Sequence, residues 1–352
     1  LANVGLRPGH VGLKRFEQGV TDVAGLTCDE LRWAGNTMTD NARVDLSGNF
    51  HFDTFADWGS VIRCGHPNPR VPCVSNMRCD CPLGKKCAHV DEGMFRLLQR
   101  LISNVRVVNV GMLFQPNINT ISKIVSLQQL IATAVEAGSK LTNIEFTNMG
   151  AYDDFPVALG GLNNLEHLNL EHTGFTDKVI PEGLFERLTK LRSLNLGSCS
   201  LSGPIPAGIS KMSNLAQLIL SYNNFTGTIP QGLFGLTKLS DLRIGSIPRL
   251  TGSFGERLPD LKALVQLKYF NTPEMHGSIP DGITTLTGLT ELVWTDQSGT
   301  PGTIPAGIGA LTNLRKLTLR GIQLRGEIPE SIGDLGRLTA LDLYDNPGLN
   351  GT

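Results

Sequence analysis

The sequence predicts an α/β solenoid, in which short parallel strands and their return segments stack into one continuous array. From residue 191, two 24-residue copies of one pattern lie head to tail and read LRSLNLGSCSLSGPIPAGISKMSN and LAQLILSYNNFTGTIPQGLFGLTK. Glycine and proline, 40 and 19 residues in the chain, fall at fixed positions of the pattern such as Gly227 and Pro230, where they act as turn residues. One such unit cannot bury its own apolar side, so a fixed period of this size predicts stacked repeats.

Composition argues against two classes of partner. The 31 basic and 32 acidic residues give a net charge of -1, so no overall field draws the chain toward nucleic acid or an anionic membrane. No apolar run reaches the roughly 18 residues of a membrane span, and we predict no span in this chain. The sequence begins at Leu1 without Met or a signal peptide, and we interpret it as a mature or trimmed product.

Cysteines concentrate in the predicted N-terminal cap region, residues 1–104, which contains a cysteine-rich insertion at about 60–88. Their density in a loop rich in proline and glycine favours three disulfides in an oxidising compartment. The alternative is a zinc site that uses His66 or His89, but the C-D-C run at 79–81 lacks the usual C-x-x-C spacing. Within the repeats, Cys199 is predicted to be a buried thiol. The predicted disulfide cysteines are Cys28, Cys64, Cys73, Cys79, Cys81 and Cys87.

The first part of the chain alternates strand and helix signals. Residues 1–42 show no clear periodicity, whereas RVDLSGN at 43–49 matches the strand and turn of one repeat. Apolar residues at helical spacing predict an amphipathic helix at about 90–103, followed by a strand at 105–110. A second helix is predicted through Ile121, Ile124, Val125, Ile131 and Val135, with Gly138 as its C-cap.

The predicted solenoid covers residues 105–352, with regular repeats from residue 141. Successive repeats are 24 to 26 residues apart, and the extra residues fall in the return segments, where they leave the strands in register. The last repeat is truncated at Thr352, so we expect further repeats or another subunit to cover the exposed end of the core. The predicted repeat starts are Leu141, Leu165, Leu191, Leu215, Leu239, Val265, Leu289, Leu314 and Leu338.

The segment L-x-G-x-I-P recurs as LSGPIP at 201–206, FTGTIP at 225–230 and LRGEIP at 324–329. Because this segment recurs, residues 141–352 resemble the plant-specific class of leucine-rich repeat, which occurs in receptor-like ectodomains, polygalacturonase-inhibiting proteins and other extracellular proteins. The resemblance implies a right-handed superhelix with a concave parallel β-sheet, a second small sheet from L-x-G-x-I-P, and short 3₁₀ turns on the convex side. The inward asparagine of that class is kept as Asn223 and Asn346, and elsewhere its position holds Met149, Thr173, Cys199, Ile247, Pro273, Gln297 and Ile322.

Catalytic motifs are absent from the sequence, which contains no G-x-S-x-G, G-x-x-x-x-G-K-[ST], H-E-x-x-H or G-x-G-x-x-G. We therefore predict a non-enzymatic protein without a cofactor or metal. The nearest candidate for chemistry is EHLNLEH at 166–172, for which a solvated polar face is favoured over a metal or acid–base site.

A candidate binding surface follows from the predicted outward residues of the strands, whose column is polar at its ends and largely apolar in its middle. A contiguous apolar patch with Tyr and Arg at its centre is typical of a binding hot spot, although strand propensity alone also favours Ile, Val and Tyr. The predicted partner-binding residues on the concave face are Ile219, Tyr222, Arg243, Leu267, Tyr269 and Val293.

Together these features predict an extracellular, secreted or cell-surface module that binds a protein, peptide or glycan. The alternatives are a structural glycoprotein of a coat, matrix or filament, which binds further copies of itself, and a secreted inhibitor of a wall-degrading enzyme. Two N-x-[ST] sequons, at Asn224 and Asn350, predict N-glycans.

Overall fold

A computed structural model describes residues 20–22, 43–45, 107–111, 127–147, 154–296 and 301–350. The chain forms two compact units, Leu1–Gly174 and Phe175–Thr352. The six predicted disulfide cysteines, the helix predicted at 90–103, and residues Met149 and Gln297 lie outside the described residues. The boundary predicted at residue 104 stays a prediction for the same reason.

Parallel strands of the first unit follow one another in chain order, in one register. The alternating apolar residues Val108, Ile144 and Leu168 align across three of them. The strands predicted within 43–49 and 105–110 are confirmed over the described residues 43–45 and 107–110, and the turn predicted at 46–49 lies outside the described residues. The strand at 20–22 lies in the non-periodic segment 1–42 and was not predicted by the pattern. The strands are β1 (Val20–Asp22), β2 (Arg43–Asp45), β3 (Val107–Gly111), β4 (Asn143–Thr147) and β5 (His167–Asn169).

The helix α1 (Leu127–Glu136) confirms the part of the second predicted helix that the structure describes, and Ile121, Ile124 and Val125 lie outside the described residues. Its inward side chains Ile131 and Ala134 are fully buried. The helix ends at Glu136 and is followed by Gly138, whose φ of 66° is the left-handed conformation that a capping glycine adopts readily. Val135 packs against the 3₁₀ helix Val157–Gly161, where a Cβ at Gly161 would lie 2.6 Å from Val135 Cγ1. A side chain larger than glycine at 161 would therefore collide with α1.

Parallel strands of the second unit form one ladder in the order β6-β8-β10-β12-β13-β14-β16. Their central leucines align from Leu194 to Leu341, and those from Leu194 to Leu317 are fully buried. This confirms that the leucines of the repeat form the core. The ladder strands are β6 (Ser193–Asn195), β8 (Gln217–Ile219), β10 (Asp241–Gly245), β12 (Gln266–Phe270), β13 (Glu291–Thr295), β14 (Lys316–Thr318) and β16 (Ala340–Asp342).

The L-x-G-x-I-P segments form the small second sheets implied by the resemblance. Glycine is needed there because Gly203 and Gly227 have φ of 70° and 74°. One sheet has the order β11-β9-β7 and another pairs β15 with β17. These strands are β7 (Ser202–Pro204), β9 (Asn224–Thr228), β11 (Leu250–Thr251), β15 (Arg325–Glu327) and β17 (Gly348–Asn350).

Short helices complete the return segments, and the implied 3₁₀ turns are confirmed. Several begin just after the proline of Ile-Pro, which has no N–H to leave unsatisfied at a helix start. They are α2 (Leu184–Arg187) and the 3₁₀ helices Ala207–Lys211, Gln231–Gly235, Gly255–Asp260, Asp281–Thr285, Ile308–Ala310 and Glu330–Asp334.

The predicted register is wrong in the repeat of β12. Leu242 aligns with Leu267, so the repeat begins at Leu264 and not at Val265, and its inward polar position holds buried Thr272 in place of Pro273. Leu264 and Val265 are adjacent and both apolar, so the spacing alone did not separate them. A one-residue slip moves every side chain of a strand to the other face of the sheet.

Candidate functional site

Four half-buried side chains form a row across adjacent strands, on the face of the ladder opposite the leucine core. Ile219 aligns with Arg243, Arg243 with Lys268, and Lys268 with Val293. We call this side of β6, β8, β10, β12, β13 and β14 the outward face. The predicted outward positions of Leu267 and Tyr269 are wrong, because their side chains are 0% and 3% exposed and belong to the core. The error came from placing the start of this repeat at Val265 and not at Leu264.

A hydrogen-bond network holds the first half of the outward face. The Ser193 hydroxyl donates to Gln217 Oε1 at 2.7 Å, and Gln217 Nε2 donates to Asp241 Oδ2 at 2.9 Å. Arg243 donates from Nε and Nη2 to the two Asp241 oxygens, both at 2.9 Å, and Nη2 also donates to Gln266 Oε1 at 3.2 Å. These three hydrogen bonds hold the guanidinium of Arg243 between Asp241 and Gln266.

Two lysines share one carboxylate in the second half of the outward face. Glu291 lies 2.9 Å from Lys268 Nζ and 3.2 Å from Lys316 Nζ. Burial, the largest single influence, raises the pKa of Glu291, but the hydrogen bonds and charges of Lys268 and Lys316 together outweigh it and lower the pKa below its usual value. The carboxylate therefore stays ionised and leaves this half with more positive than negative charge.

An aromatic pair lies where the strands of the outward face end. The Tyr222 side chain, predicted to face outward, is 57% exposed, and its ring centroid lies 5.6 Å from that of Phe270. Gly245 makes room for this pair, because a Cβ there would lie 2.5 Å from the Phe270 ring. Tyr222 also has a φ of 61°, which is strained for a bulky residue. Phe270 was missed from the sequence because the register slip gave it an inward position.

The other predicted sites are the two glycosylation sequons, Cys199 and the EHLNLEH segment. Asn224 is half-buried in β9 beside fully buried Phe225, and Asn350 is exposed in β17, so both glycosylation sites stay predictions. Cys199 is fully buried, as predicted, and its Sγ donates to Gly197 O at 3.4 Å. In the EHLNLEH segment, His167 and His172 are exposed.

Within the described ranges, no group of three or more His, Cys, Asp or Glu side chains is arranged to hold a metal ion. The same residues include no helix with the length and apolar character needed to cross a membrane.

The sequence profile of the Leucine Rich Repeat family matches residues 190–212 and 214–236, which are the repeats that contain β6 and β8. Receptor-like protein 39 of Arabidopsis thaliana is 39% identical over 69 residues, which are 20% of this chain and 8% of that protein. The chain carries plant-type leucine-rich repeats and resembles receptor ectodomains.

Solved leucine-rich repeat ectodomains share the fold. The crystal structure of a TDR receptor is 25% identical with a TM-score of 0.55, over 72% of this chain and 45% of that one. The Arabidopsis receptor kinase HAESA, solved with the peptide hormone IDA and the co-receptor SERK1, is 25% identical with a TM-score of 0.54, over 71% of this chain and 44% of that one. The chain thus spans less than half the length of these solved chains and a smaller part of its curated relatives.

Proposed function

We propose that this leucine-rich repeat protein is a non-enzymatic recognition module of the extracellular space or cell surface, and that its outward face binds a peptide or protein segment. The observation that carries the proposal is the row Ile219, Arg243, Lys268 and Val293, in register on four adjacent strands. HAESA, which has the same fold, was solved with a peptide hormone bound, and this supports a peptide or protein ligand.

The charge of the outward face suggests the character of the partner. Arg243, Lys268 and Lys316 supply three positive charges, whereas Asp241 and Glu291 supply two negative ones. The surplus favours a partner with an acidic group near the centre, and complementary charge sets orientation and association rate more than affinity.

Apolar side chains beside these charges supply the remaining contact area. Ile219 and Val293 lie at the two ends of the row, and the Tyr222–Phe270 pair lies at the ends of the strands. Aromatic residues and arginine dominate binding energy at protein interfaces. An extended segment with an acidic residue between apolar ones fits this arrangement.

The test is a selection of displayed peptides on the purified chain, followed by affinity measurements on variants. The double variant Arg243→Ala/Lys268→Ala should lower the affinity for the selected peptides at least about tenfold, since each lost central contact contributes about 1 kcal/mol or more. The control Lys238→Ala/Arg337→Ala removes the same charge from exposed side chains that bond to Asn214 and Asn313 instead. Equal affinities for both double variants would contradict the proposal.

Disulfides and N-glycans belong to the same extracellular proposal. Non-reducing peptide mapping by mass spectrometry should find Cys28, Cys64, Cys73, Cys79, Cys81 and Cys87 in three disulfides, with Cys199 outside them. Treatment with an N-glycosidase should convert Asn224 to Asp in material from a secretory host. Bound zinc or six reduced thiols would contradict the disulfide set.

A further inference from the structure

A cleft of about 580 Å³ opens between the return segments of two successive repeats in the second unit. One wall comes from residues 253–256 with Pro259, and the other from residues 276–278 with 280–282. Tyr269 and Trp294 reach it from the sheet. Because both side chains point into the core, the cleft is separate from the outward face.

The floor of the cleft is a set of three interlocked aromatic rings. The Tyr269 ring lies 4.8 Å from Phe254 and 4.7 Å from Trp294, both edge to face, and Phe254 lies 5.6 Å from Trp294. All three side chains are buried, so little of the floor can rearrange. The sequence builds this floor by two departures from the repeat: Phe254-Gly255 stands where Ile-Pro is expected, and Tyr269 and Trp294 replace the third leucine.

The rim of the cleft carries negative charge. Glu256 and Asp281 occupy the same repeat position, directly after Phe254-Gly255 and after Ile279-Pro280, and both are exposed. Among the described residues, the lining of the cleft includes no lysine or arginine, and its basic side chain is His276.

Arg257, the cationic residue that follows Glu256, contacts groups outside the cleft. Arg257 Nε lies 3.0 Å from Asp260 Oδ2, and its guanidinium carbon lies 5.9 Å from the centroid of the Phe234 ring. Arg257 does not line the cleft, so it does not neutralise Glu256 and Asp281 there.

We propose that this cleft binds a basic side chain, the guanidinium or ammonium group of an arginine or lysine on a protein partner. Two carboxylates on the rim attract a cation, and the apolar floor accepts the methylene stem that carries it. Gly255 and Gly277 leave their positions on the two walls without a side chain, whereas at Gly282 the walls meet, because a Cβ there would lie 2.4 Å from Pro259 Cγ. The inference goes beyond the proposed function, because it concerns a second surface with the opposite charge preference.

The probe is acetyl-arginine methylamide, titrated into the full chain and followed by the indole N–H resonance of Trp294, which is assigned by its loss in Trp294→Phe. We expect a saturable shift with millimolar affinity, weakened at least about fivefold in Glu256→Gln/Asp281→Asn. Glu330→Gln is the matched control, because Glu330 holds the same repeat position after Pro329, outside the cleft. Arg243→Ala/Lys268→Ala should bind the probe like the parent, which separates this site from the outward face.

Several results would overturn the inference. They are the absence of a saturable shift, an undiminished affinity in Glu256→Gln/Asp281→Asn, and a stronger response to the neutral disaccharide cellobiose than to the arginine probe. If the double variant does not fold, the affinity of the parent chain for the probe is measured at different salt concentrations instead. Raising NaCl from about 20 to about 500 mM should lower that affinity several-fold, because salt screens the attraction between the probe and the carboxylates. Salt-independent binding would contradict the proposed role of the carboxylates.

Discussion

Replacing Asn223 with Ala tests how the polar side chain inside the repeat holds neighbouring turns together. The side chain is 3% exposed, and its Oδ1 accepts the Leu201 N–H at 2.9 Å. Its Nδ2 donates to Leu196 O at 2.7 Å, Leu220 O at 2.9 Å and Ser221 O at 3.3 Å. One amide therefore bonds to backbone groups of its own repeat and of the preceding one.

The expected loss follows from the buried backbone groups that the variant leaves behind. Leu201 N–H and Leu196 C=O each lose this partner, and an unsatisfied buried group costs about 1–3 kcal/mol. A water molecule in the space left by the amide would restore part of the bonding. We therefore expect the free energy of unfolding to fall by about 2–4 kcal/mol in Asn223→Ala.

The preceding repeat offers a matched control. Cys199 occupies the same position and is equally buried, but its Sγ makes a weaker hydrogen bond, 3.4 Å from Gly197 O. Cys199→Ala should therefore lower stability by about 1 kcal/mol. Urea unfolding followed by far-UV circular dichroism compares the two variants, and amide exchange at Leu201 reports the lost hydrogen bond directly. Equal losses in both variants, with unchanged exchange at Leu201, would refute the reasoning.

Three further predictions concern the core and the aromatic residues. Leu218→Ala should lower stability by about 2–5 kcal/mol in urea unfolding, because Leu218 is fully buried, whereas Leu341→Ala at the same repeat position, 47% exposed, should cost less; equal losses would contradict the register. Gly245→Ala should displace the Phe270 ring and lower the melting temperature, whereas Gly235→Ala, with nothing within 4 Å of the added Cβ, should not. Burial raises the pKa of Tyr269 from 10.0 to about 12. Tyr269 therefore loses its proton at a lower pH in the unfolded state than in the folded state, and the free energy of unfolding should fall by about 2–3 kcal/mol between pH 10 and 12. Tyr269→Phe should lose that dependence in alkaline unfolding curves and Tyr222→Phe should keep it, and the reverse would show that Tyr269 is not the group responsible.

Most of the ladder could be predicted from the sequence because the same leucine spacing recurs in successive repeats. Leu194, Leu218 and Leu242 are buried where the pattern placed them, since stacked units can hide their apolar sides only against each other. Asn223 and Asn346 are buried at the inward positions that the resemblance implied, and each bonds to backbone atoms of its own and the preceding repeat.

The candidate site was harder to predict, because it depends on the repeats that depart from the pattern. At β12, two adjacent apolar residues, Leu264 and Val265, both fit the first position, and the choice between them decides whether Tyr269 or Lys268 faces outward. The charge networks around Asp241 and Glu291 depend on side-chain conformations that spacing does not encode. The cleft was missed because aromatic residues in leucine positions fit a core equally well.

Site-specific photo-crosslinking tests the outward face as the binding surface most directly. A benzoylphenylalanine at position 268, on the outward face, should crosslink to a selected peptide or a native partner, and the same group at Thr237, exposed on the return segment, should not. Crosslinking at 268 that disappears with excess unlabelled peptide is the predicted result. Crosslinking at 237 with none at 268 would contradict binding through the outward face.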